Sequence, residues 1–178
     1  KNPYSSVVMG KRLDFKSYGI DITFSDEALG ILAERAYREK TGARGLLSVF
    51  EKALIKFEKT LPSTEISSLV VDRNLVENPA SVLDRLLLAD NIKSFQKTFF
   101  LKHGILLDFE KDALDLISRR AIEQHMSIKR LCEDMFHDYH HGIKLMGMES
   151  FRVPREAVEN PPAYLENYIK ENYTAKNR

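Results

Sequence analysis

The stretch GIDITFSDEALGILAERAYREKTGARGLLSVF, Gly19 to Phe50, decides the fold. It opens on a short alternation, Ile20 to Phe24 (IDITF), with apolar residues two apart, the period of a half-buried strand. Ser25 follows as a helix N-cap, and Asp26 and Glu27 put negative charge where the helix dipole favours it. Ala28, Leu29, Leu32 and Ala36 then recur at helical spacing and predict a buried stripe. Gly42, in EKTGARG, breaks that helix. A second helix is predicted beyond it, with Leu46, Val49, Phe50, Ala53, Leu54 and Phe57 on one face and Pro62 at its close. Ser68 to Asp72 (SLVVD) reads as a second strand.

The same grammar returns later in the chain. At an offset of 85 residues, Gly19-Ile20 falls on Gly104-Ile105, Phe24 on Phe109, Ala28-Leu29 on Ala113-Leu114, Arg35-Ala36 on Arg120-Ala121, and Leu46 on Leu131. Further on the offset becomes 82, and Val76-Glu77-Asn78-Pro79 falls on Val158-Glu159-Asn160-Pro161. The matches are mostly apolar or glycine, as a shared core demands, and their collinearity argues for a duplicated module. Asn is a good N-cap and Pro suits the first helical position, so each phrase predicts the start of a unit's last helix. Glu77 and Glu159 read as first-turn acids of those helices. After Pro79 the apolar pattern runs to His103 without a firm breaker, so one long helix is predicted to close the first unit and open the second. The expected fold is α+β and mostly helical: two tandem units, 1–90 and 91–178, each with two or three short strands and three or more helices. Residues 18–87 and 103–173 should superpose.

Composition narrows the function classes. The 178 residues are 43% apolar and 30% charged, which is globular rather than disordered. The net charge of +1, spread over both halves, marks out neither a nucleic-acid stripe nor a polybasic membrane tail. No apolar run approaches a membrane span. The single cysteine, Cys132, precludes an internal disulfide framework and fits a cytoplasmic setting. The chain starts with Lys1 rather than Met and reads as a piece of something longer.

The segment that carries chemistry is EKTGARGL, Glu39 to Leu46. Arg44 stands at the start of the second helix, where the backbone already presents partial positive charge. A cation there is mildly unfavourable unless an anion is near. With an anion, the guanidinium and the free N–H groups make a phosphate-sensing corner. Gly42 and Gly45 would let other groups approach closely. Alone, an arginine beside a helix start is most often simply solvated.

Tyr18 to Asp72 resembles the small C-terminal lid domain of AAA+ unfoldase ATPases, the ClpX-like lids above all: a strand, a helix with a DEAL-like start, the TGARGL turn, a second helix and a closing strand. The resemblance implies that Arg44 is the sensor-2 residue, supported by Gly42 and Gly45, and reaches from the lid to phosphates held by a large ATPase domain. It implies ATP with Mg in the parent protein, none held tightly by this chain alone. The implied partners are the large ATPase domain, neighbouring subunits in a ring, and a protease or substrate protein. The second unit looks like the same lid with its motif eroded, MSIKRL (Met126 to Leu131), Lys129 standing in the arginine's place.

No GxxxxGK[ST] loop occurs in the chain, nor an apolar strand ending in paired acids, so catalytic residues are expected outside it. His137 and His141, in FHDYHHG, are spaced to share a helix face and so permit metal, but a histidine-rich polar face is the simpler reading and no metal site is assigned. Cys132 and Tyr139 match Leu47 and Leu54 and are expected in the core. Two function classes follow: the regulatory lid of a Clp-type ATPase, or a non-catalytic interaction module that kept the lid fold without nucleotide linkage.

Overall fold

The structure, a computed structural model, describes residues 3–40 and 42–176, with side chains over 6–40, 42 and 44–172. Thr41 of the TGARGL turn lies outside the described residues. The fold is α+β and mostly helical, and it divides into two compact units that meet between Asp90 and Asn91.

The first unit begins with α1 (Pro3–Ser17), continues through β1 (Asp21–Phe24), α2 (Asp26–Arg38), α3 (Ala43–Thr60) and β2 (Ser68–Val71), and adds a five-residue α4 (Arg73–Glu77). Gly19 turns the chain between α1 and β1 at φ +75, a conformation costly for any side chain. The strands pair in parallel, Asp21 opposite Ser68 through Phe24 opposite Val71. A parallel pair needs a crossover, and α2 and α3 provide it. The Ser25 hydroxyl accepts from the Ala28 N–H at 3.2 Å, the predicted cap. Phe15, Ile22, Leu32, Phe50, Leu54, Phe57 and Val71 meet in the core. Within it, Lys11 of α1 donates to Glu58 of α3 at 2.7 Å, with 8% of the lysine side chain exposed.

The next helix, α5 (Pro79–His103), starts at the predicted proline and is continuous, with the unit boundary inside it. Its last turn runs into Gly104 at φ +70 and then β3 (Leu106–Phe109). The second unit continues with α6 (Lys111–Glu123), α7 (Ile128–Phe136), α8 (Tyr139–Leu145), β4 (Ser150–Val153), α9 (Arg155–Glu159) and α10 (Pro161–Lys176). Again the strands are parallel, Leu106 opposite Ser150. Its core is rich in rings: Phe136 lies 5.5 Å from Phe109 and 4.9 Å from Tyr139, which in turn lies 5.8 Å from Phe151.

The repeated phrase starts the last helix of each unit, at Pro79 and Pro161 as predicted, but its glutamates do not lie in the first turn of those helices. Glu77 and Glu159 end the short helices α4 and α9 and pair there with Arg73 and Arg155, at 3.0 and 2.8 Å. The carbonyls of Val76 and Val158, left unpaired by so short a helix, accept from the guanidinium groups of Arg35 (3.0 Å) and Arg120 (2.6 Å). The recurrence of Arg35-Ala36 and of Val-Glu-Asn-Pro is thus one feature: an arginine on the first crossover helix holds the end of a short helix. Asn160 accepts weakly from the Ala163 N–H at 3.4 Å, whereas the Asn78 amide turns to Asn74 instead of capping α5.

The second unit departs from the first where α3 would continue. The hydrogen-bond ladder lapses at His137 and Asp138, both still right-handed in backbone, because the turn tightens to an i to i−3 bond, His141 N–H to Asp138 O. The apolar stripe Cys132, Phe136, Tyr139, Ile143 nevertheless keeps helical spacing and is buried throughout. Among the described residues, no helix is long and apolar enough to cross a membrane.

Candidate functional site

The candidate corner lies between α2 and α3. Helix α2 ends with the Glu39 N–H bonded to Arg35 O and Ala36 O, and Lys40 turns at φ +52. Gly42 then adopts φ +61, ψ −134, a region closed to residues with a Cβ, and begins α3. A Cβ built there would meet nothing within 4 Å. The glycine is required by backbone conformation, and open space adjoins it. The first ladder bond of α3 is Leu46 N–H to Gly42 O, so the N–H groups before it have no partner in the helix. Gly42 offers no side-chain cap for them. Gly45 is buried in the first turn and Leu46 is in the core.

Arg44 is exposed at this uncapped helix start. Several other cations of this unit are engaged: Arg35 with Val76 O, Arg38 with Glu34, Lys52 with Glu39 at 2.9 Å, and Arg73 with Glu27 and Glu77. Among the described residues, the Arg44 guanidinium has neither hydrogen bond nor ion pair. Among the described residues, the corner therefore joins an unengaged guanidinium to N–H groups without a partner, a combination suited to a phosphate oxygen.

In the second unit the matching position is built differently. Ser127 stands where Gly42 stands, in ordinary extended backbone (φ −69, ψ 145), and its hydroxyl accepts from the Arg130 N–H at 3.3 Å. That cap takes up one of the N–H groups left open in the first unit. Lys129 follows at the second helical position, half-buried.

The remaining sequence candidates fall in the core or on the surface. Cys132 is fully buried, and burial, aided by Glu133, pushes its thiol up to about 12, so it stays protonated and inert. Tyr139 is buried with its hydroxyl donating to Pro161 O at 2.9 Å, and burial raises its pKa. His137 has its Nδ1 against Asp134 O and its Nε2 at 2.9 Å from Asp138, while His140 stacks on His103 with ring centres 3.9 Å apart. Desolvation, together with His140 and Lys144, lowers the pKa of His103. Among the described residues, no group of three potential ligands is placed to hold a metal ion.

Comparison with known proteins finds relatives of the first unit. Residues 8–57 match the family model described as the C-terminal, D2-small domain, of ClpB protein. The chain is 28% identical over 78 residues to the mitochondrial ATP-dependent clpX-like chaperone of Saccharomyces cerevisiae, a match covering 44% of this chain and 15% of that protein. It is 35% identical over 77 residues to the ATP-dependent Clp protease ATP-binding subunit ClpX of Borrelia duttonii, covering 43% of this chain and 18% of the relative. The chain thus spans under a fifth of the length of the curated relatives it matches. No solved structure gives a significant match. The matched segment contains β1, α2 and most of α3, with Gly42, Arg44 and Gly45 between and within them, so residues 8–57 are similar to the C-terminal small domain of Clp ATPases.

Proposed function

We propose that the first unit is the lid of a Clp-type AAA+ ATPase and senses nucleotide through Arg44, and that the second unit is a diverged copy that has lost this role. The observation that carries the reading is the exposed, unengaged Arg44 at an uncapped helix start behind a glycine of positive φ. ATP with Mg fits the corner from one side only. Arg44 and the first N–H groups of α3 would meet phosphate oxygens, while the phosphate loop and the ligands of the metal would come from a large ATPase domain. The chain alone then holds nucleotide weakly, because one charged contact of about 1.5–3 kcal/mol falls far short of micromolar binding. Packing against that domain and against neighbouring subunits of a ring belongs to the same reading, as does service to a protease.

The test is steady-state ATP hydrolysis by the protein in which this chain is joined to its ATPase domain. Arg44→Ala should lower turnover about ten- to hundredfold, the loss of one charge-assisted contact. Its thermal stability should shift by at most about 0.5 kcal/mol, since a cation at a helix start contributes little. Lys129→Ala should leave turnover nearly unchanged, because Ser127 caps that helix and a lysine lacks the two-pronged contact. Unchanged turnover in Arg44→Ala would remove the sensor assignment and leave the interaction module. Equal losses from both variants would mean that both units touch nucleotide.

A further inference from the structure

Each unit has a groove bounded by the arginine that holds the short helix and by the proline that starts the last one, and the two grooves have opposite character. In the first unit, Arg35 and Pro79 bound a cavity of about 300 Å³ that also takes in Arg38, Glu39 and Lys52. Three cations and one carboxylate line it, and the 2.9 Å pair Lys52–Glu39 belongs to that lining. In the second unit, Arg120 and Pro161 bound a cavity of about 600 Å³ whose charged lining, histidine aside, is one cation and three carboxylates: Arg120 against Asp134, Asp138 and Glu166. Position by position, Val49 has become Asp134, Ala53 has become Asp138, and Lys52 has become His137.

The larger groove has an apolar floor with an acidic rim. Met126 and Met135 contribute adaptable thioethers, and Leu165 and Ile169 stand one turn apart on α10, all four half-buried. Arg120 keeps its positive charge, but its guanidinium is held in place at the end of α9 by Val158 O and Glu159 O. The Asp134 carboxylate, exposed on the rim, has no cation partner among the described residues.

We propose that this groove of the second unit docks a short segment of a partner protein that inserts a large apolar side chain between the methionines and α10 and sets flanking lysine or arginine against Asp134 and Asp138. Charge complementarity selects that occupant: Glu166 pairs with Lys170 and Asp138 lies against His137, but Asp134 has no cation partner among the described residues, and carboxylates still outnumber cations in the lining. The proposal does not depend on nucleotide sensing by the first unit.

The experiment uses the 178-residue chain and two labelled amphipathic dodecapeptides, one of leucine and lysine, the other of leucine and glutamate, read by fluorescence anisotropy. The lysine peptide should bind at least tenfold more tightly, and rising salt should weaken it. The double variant Asp134→Lys/Asp138→Lys, both positions being exposed, should lose at least tenfold with an unchanged circular dichroism spectrum. Lys52→Glu, in the groove of the first unit, should leave the affinity unchanged. Equal affinity for both peptides, no binding of either at 1 mM, or indifference to the double variant would overturn the proposal. So would a dimer seen by sedimentation that the double variant dissociates, because the groove would then hold a second copy of this chain.

Discussion

Phe136→Ala is expected to lower the stability of the second unit by about 3–5 kcal/mol, the range for deleting a fully buried aromatic ring. The ring is completely enclosed and lies where four elements converge: 6.2 Å from Phe95 of α5, 5.5 Å from Phe109 of β3, and 4.9 Å from Tyr139 of α8. Little can collapse into the space, because the surrounding rings are held by further contacts such as Tyr139 with Phe151. Urea unfolding followed by circular dichroism measures the loss, and hydrogen exchange should place it in β3, α7 and β4. Phe100→Ala serves as the control. Its ring is 50% exposed, and the cost should stay within about 0.5 kcal/mol. A loss below about 1 kcal/mol for Phe136→Ala would mean that the ring cluster does not hold this unit together.

Glu58→Ala is expected to cost the first unit about 3 kcal/mol, for a different reason: it leaves the Lys11 ammonium buried without its main partner. Lys11 Nζ lies 2.7 Å from Glu58, and its other carboxylate neighbour, Asp14, is 3.7 Å away and 58% exposed. The double variant Lys11→Met/Glu58→Leu should fall within about 1 kcal/mol of the parent, because both desolvation costs disappear together. A thermal melt of the three proteins decides the matter. If the single and double variants were equally unstable, the site would be tight in shape rather than coupled in charge.

Lys11 also explains part of what the sequence conceals. Helix α1 shows apolar Val7, Val8 and Phe15 at near-helical spacing, but the position between them on the buried face is a lysine, and the stripe breaks. Helices α4 and α9, at five residues, are too short to show a period. Their signal is local: Asp72 accepts from the Leu75 N–H at 2.8 Å. Strands β1 and β2 and helix α2 were legible because alternation, cap, stripe and breaker agree there, and α3 and α5 because long apolar stripes follow Gly42 and Pro79. The interruption after Phe136 was hidden because the buried spacing runs through it unchanged. What competes with the ladder is hydrogen bonding by the histidine rings, His137 with Asp134 O and His140 with His137 O. At the candidate corner, residue types announced the turn, and Gly42 starts α3 as its place in TGARGL suggests. The commitment of Arg35, Arg38 and Lys52 elsewhere, which leaves Arg44 unengaged, depends on partners distant in the chain and could be seen only in three dimensions.

The uninterrupted α5 bears on the order of events during synthesis. Starting a helix is the slow, unfavourable step, whereas lengthening one adds a bond for each residue fixed. Val82 and Leu83 anchor the beginning of α5 in the first core, while Ile92, Phe95 and Phe99 wait for the second. A ribosome delivers the first core earlier, and once that core has closed, the remaining turns of α5 can grow from an existing helical end. The second unit therefore begins its folding with its first helix already nucleated.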